Sequence, residues 1–91
     1  MATADLVYTR HAQDMIIERE IDRAWIQATI DAPDTIEPDP KRPGVLRAFR
    51  KVPERGGRIL RVVHIRTGTR VKVLTVFFDR ARRKDKKSGE A

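Results

Sequence analysis

The 91-residue chain contains no cysteine, and only 5% of it is aromatic. Without thiols there can be no disulfide scaffold, no thiol nucleophile, no iron–sulfur cluster and no thiolate-ligated zinc. With so few rings, most of them wanted by a core, a platform that stacks successive bases is not expected. Ser88 is the only serine and lies near the C-terminal end, so a serine triad is excluded. The longest apolar run, 73–78, is interrupted by Thr75 and falls far short of the roughly 20 residues that span a bilayer. Met1 to Arg10 lacks a basic segment leading into an apolar one, so no secretory leader is expected. There is no His-x-x-x-His, no acidic pair beside a histidine and no phosphate-cradling glycine pattern. The expectation is therefore a cytoplasmic protein with no metal, no cofactor and no membrane contact.

Positive charge is abundant. Twenty Lys and Arg against 13 Asp and Glu give a net charge of +7. The distribution is uneven. Residues 1–40 carry three basic and nine acidic side chains, whereas residues 41–91 carry 17 basic and four acidic ones. Such segregation gives a folded molecule an oriented field. Acidic helices lying on a basic sheet would be one outcome, although 17 cations exceed what nine anions can neutralise.

The length allows one compact domain, expected over 1–79, with a basic disordered tail over 80–91. Thr9 reads as an N-cap, and His11, Ala12, Met15, Ile16 and Arg19 fall on one helical stripe, which predicts a helix over Arg10 to about Glu18. Asp22 reads as the cap of a second helix, with Ile21 and Ile26 placed as a hydrophobic staple and Pro33 as its stop. Prolines at 38, 40 and 43 mark a loop with a short edge strand near Thr35 to Glu37. Val45 to Val52, Ile59 to Arg66 and Val71 to Phe78 read as strands joined by turns at Gly56-Gly57 and Thr67-Gly68-Thr69. The last is apolar on both sides and belongs in the sheet interior. The fold class is α+β: two N-terminal helices on one face of a three- or four-stranded antiparallel sheet.

Tyr8-Thr9-Arg10-His11-Ala12, then Arg19, Ile21 and Pro33, with Val62-Val63 and Leu74-Thr75-Val76-Phe77 downstream, resemble the domain-of-unknown-function family 4258. The chain departs from that family's pattern at Met15-Ile16, where an Arg-Met pair is usual, and at Glu20, where glycine is common. The family is similar in architecture to small ribonuclease toxins of the RelE and BrnT kind. The resemblance implies a toxin-like ancestry and RNA as a partner.

Metal-independent RNA cleavage needs a general base, a general acid and cations facing the phosphate. His11 and His64 are the only histidines; with Arg19 and Arg50 they form the candidate catalytic set. His11, in a helix's first turn, and His64, in mid-strand, could equally be packing residues. Arg19 could pair with Asp22 or Asp34. Arg47, Arg61, Arg66, Arg70 and Lys72 are the candidate nucleic-acid contacts, because guanidinium forks grip phosphate oxygens in bidentate fashion; a solvated sheet face would look the same. The expectation is a toxin-like RNA-binding domain, its ribonuclease activity left open, that an acidic antitoxin would cover. The alternative is a noncatalytic adaptor for a protein or a nucleic acid. Cleavage requires His11 and the hairpin guanidinium groups to share one concavity.

Overall fold

The structure, a computed structural model, describes residues 3–80. The tail expected over 80–91 therefore lies, from position 81 onward, outside the described residues. The order of elements is β1 (Asp5–Tyr8), α1 (Arg10–Glu18), α2 (Arg23–Asp31), β2 (Thr35–Pro38), β3 (Leu46–Val52), a 3-10 turn (Pro53–Arg55), β4 (Arg58–Thr67) and β5 (Arg70–Phe78).

Local chemistry sets the helix boundaries. Thr9 Oγ1 accepts a hydrogen bond from the Ala12 N–H at 3.1 Å and donates to the Leu74 carbonyl at 2.9 Å, so this cap also pins α1 to β5. Asp22 Oδ1 accepts from the Ala24 N–H at 2.8 Å and opens α2. The end of α1 is a Schellman motif: the Ile21 N–H reaches the Ile16 carbonyl and the Glu20 N–H the Ile17 carbonyl. That geometry requires a left-handed residue at position 20, and Glu20 has φ +54°. Ile16 and Ile21, the apolar pair that accompanies the motif, are both buried.

The sheet has five strands in the order β1-β5-β4-β3-β2. This corrects the expected count of three or four strands, and it corrects the expected pairing. β1 runs parallel to β5, while the remaining pairs are antiparallel, so the sheet is mixed. β1 has only four residues and a half-buried pattern in which Leu6 and Tyr8 turn inward. A parallel partner must arrive by a long crossover, and here most of the chain separates the two strands.

The apolar run of β5 has a physical explanation. Val63 pairs with Thr75 and His64 with Val73, so Leu74 is one extra residue in β5. This bulge switches the parity of the strand. Val71 and Val73 before it, and Val76 and Phe78 after it, all reach the core under the helices. With Ala12, Ile16, Ile26, Ile30, Ala48, Leu60 and Val62 they make the main core. The helices cover one sheet face; on the other stand Arg47, Phe49, Arg61, Val63 and Phe77 in register.

Candidate nucleic-acid interface

Strand parity decides where each candidate cation points. Arg47 and Arg50 are three residues apart and so leave opposite faces of β3. Arg61 and Arg66 do the same on β4. Arg47, Arg61, Arg70 and Lys72 belong to the outer face, and Arg50, His64 and Arg66 to the helix side.

On the outer face two of these cations are engaged in structure. Arg61 lies directly between Phe49 and Phe77 in the register, its guanidinium carbon 5.4 and 4.9 Å from their ring centroids. Its Nε and Nη2 both donate to Asp79 Oδ2, at 3.0 and 2.5 Å, and Asp79 is buried. Arg47 Nε lies 3.8 Å from Asp39 Oδ2, which also pairs with Arg42 at 3.1 Å. The Lys41 backbone N–H and the Arg42 side chain hold the Asp39 carboxyl below the usual carboxylate range. Arg70 and Lys72 are exposed and form no ion pair among the described residues.

On the helix side, Arg50 donates from Nη1 to the Ala32 carbonyl at 2.5 Å, closing the C-terminal end of α2, a place where a cation complements the helix dipole. Arg66 is exposed, with Nη1 3.4 Å from the Gly68 carbonyl, and it borders a polar cleft of about 180 Å³ beside Ala4 and Asp31. His64 is only 1% exposed. Its Nδ1 lies 3.1 Å from the Val62 carbonyl, and burial pushes its pKa below the ordinary histidine value. A neutral imidazole packed under helices suits a core role. His11 is exposed in the first turn of α1, and Arg19 is exposed at that helix's C-cap.

The cations of the outer face and His11 are therefore on opposite sides of the sheet. Of the hairpin guanidinium groups, Arg50 and Arg66 share the helix side with His11, whereas Arg47 and Arg61 do not.

A different basic cluster does form, and the sequence reading passed over it. Arg55, in the 3-10 turn, sits with its guanidinium carbon 5.1 Å from the Phe78 ring centroid and 5.8 Å from that of Trp25. Arg58, at the start of β4, lies 5.0 Å from the Phe78 centroid. Trp25 and Phe78 meet edge to face at 6.3 Å. Arg55 Nη1 also donates to the Glu20 carbonyl at 3.2 Å, which brings the hairpin tip to the end of α1, next to Arg19. Nearby in sequence, Arg23 lies 4.7 Å from the Tyr8 centroid; burial raises the Tyr8 pKa and the Arg23 charge opposes that rise. The signal for this cluster was weak, since Arg55 and Arg58 flank the Gly56-Gly57 turn and read as solvated turn residues.

Fold and surface together define a small basic α+β domain. Residues 8–78 match the family described as Domain of unknown function (DUF4258), and the chain belongs to that family. The match runs from the end of β1 to the end of β5 and so takes in both helices, the hairpins and the arginine–aromatic cluster. Neither a curated protein nor a solved structure matches the chain.

Proposed function

We propose that this protein is a toxin-like RNA-binding domain whose unneutralised cations hold the RNA backbone. One observation carries the reading. Most of the basic side chains are not held by a described acid: the ion pairs between described residues engage Arg42 and Arg47 with Asp39 and Arg61 with Asp79. Two acids of α2 are engaged locally, Asp22 on the cap and Asp31 on the Ala4 N–H and the Gln27 amide. Arg19, Arg55, Arg58, Arg66, Arg70 and Lys72 thus keep their charge available to a polyanion, which is the electrostatic footprint of a nucleic-acid binder. The resemblance to small RelE- and BrnT-like ribonuclease toxins that the sequence motifs imply favours RNA over DNA as the ligand. An acidic antitoxin segment would compete for the same cations.

The arrangement supports binding better than cleavage. His64 is enclosed, and His11 stands across the sheet from the cations of the outer face. The test is to incubate the full-length protein with a mixed-sequence single-stranded RNA, following retention of the RNA and its fragments together. Retention without fragments is the expected result. Fragments that disappear in His11→Ala would make the protein a ribonuclease, and no retention at physiological salt would remove RNA as its ligand.

A further inference from the structure

The geometry points to Arg55, over Trp25 and Phe78, and Arg58, over Phe78, as a clamp that holds backbone phosphates of single-stranded RNA without reading its bases. This deepens the RNA-binding reading and rests on it. Both guanidinium carbons lie close to 5 Å from one ring centroid, so they are no more than about 10 Å apart, the two distances laid end to end. Two like charges held that close repel each other, and neither has an ion pair among the described residues. Glu54 precedes Arg55 in the chain and Glu20 meets it in the fold, but neither carboxylate forms an ion pair with Arg55 or Arg58; Glu20 offers its carbonyl instead. An arrangement that concentrates cations with no anion of its own is complementary to one from outside.

Stacking also selects the ligand. A guanidinium laid near an aromatic ring gives that ring its π face, while its N–H donors point outward in the guanidinium plane. Arg55 spends one donor on the Glu20 carbonyl, and the Arg58 guanidinium makes no hydrogen bond to a described residue. The remaining donors have the fork geometry that phosphate oxygens accept in bidentate fashion. The two rings are already partly buried and occupied by arginine, so they are not free to stack bases. The clamp therefore binds phosphates whatever the sequence. The 3-10 turn and the Gly56-Gly57 bend, with φ of +69° and +78°, hold Arg55 and Arg58 at the two ends of one tight connection.

Trp25 is the only tryptophan in the chain, which gives the site its own reporter. The experiment titrates the full-length protein with single-stranded U-only and A-only RNA oligonucleotides. It follows Trp25 emission and, independently, retention of labelled RNA. The expected result is a saturable emission change with affinities for the two homopolymers within about threefold. Arg55→Lys and Arg58→Lys, which keep the net charge but lose the fork and the stack, weaken binding at least about tenfold. A Lys41→Ala variant, exposed in the loop before β3 and outside the cations assigned to RNA, loses much less, although it removes a charge. Thermal melts that match those of the parent show that the lysine variants remain folded. RNA retention with silent Trp25 emission and unaltered affinity in both lysine variants would overturn the clamp and leave RNA binding to another surface. A strong preference for one homopolymer would also overturn phosphate-only recognition. No retention of either RNA by the parent protein would remove the RNA-binding reading itself.

Discussion

Glu20 holds the left-handed conformation that closes α1, a conformation that costs a residue with a Cβ roughly 1 kcal/mol or more. Glycine meets the same requirement without that cost. Glu20→Gly is expected to stabilise the protein by roughly 1 kcal/mol in urea unfolding; a loss of stability would show that the glutamate side chain supports the fold in some other way. His64 makes a second prediction. Burial holds its folded-state pKa below the ordinary value of 6.5, so the unfolded chain binds the proton more readily. Its contribution to stability is full above pH 6.5 and is lost as the pH falls through the lower folded-state value. Thermal melts between pH 8 and 5 should therefore drop more steeply for the parent than for His64→Leu. Parallel curves would mean that His64 does not carry the acid sensitivity.

The two helix caps look equivalent in sequence but differ in the fold. Asp22 satisfies one backbone N–H, whereas Thr9 both caps α1 and donates to Leu74 in β5. Thr9→Ala is expected to cost about 2 kcal/mol and Asp22→Ala about 1 kcal/mol in the same urea assay; equal losses would mean that the tie to β5 contributes nothing. Both caps, both helix spans and the edge strand at Thr35 were legible because each depends on neighbours within a few residues. The pairing of β1 with β5 was not, since four residues carry little periodic signal and their partner lies more than sixty positions away. The bulge at Leu74 was hidden for a related reason. Its trace in the sequence is an apolar run, and that run is equally the mark of a strand buried on both faces. The same limit applied to the candidate site. Charge and spacing identified cations, but strand parity divided them between two faces. Only the folded chain brings Arg55 and Arg58 onto Phe78 and Trp25.

At the scale of the whole molecule, the segregation of charge along the chain persists after folding. The acids of α1 and α2 lie on the layer opposite the outer sheet face, and none of them forms an ion pair with a described cation. Among the described residues no helix is long and apolar enough to cross a membrane, and the radius of gyration is 12.9 Å. A molecule this small offers a ligand few side chains, so its affinity for a polyanion must come from charge rather than from buried area. The salt dependence of RNA binding measures that directly. Each phosphate neutralised on a single strand contributes about −0.7 to the slope of log affinity against log salt. With Arg55, Arg58 and about two further cations engaged, the full-length protein should give a slope near −3 between low and physiological salt. Binding that does not weaken with salt, or no binding at low salt, would contradict the account.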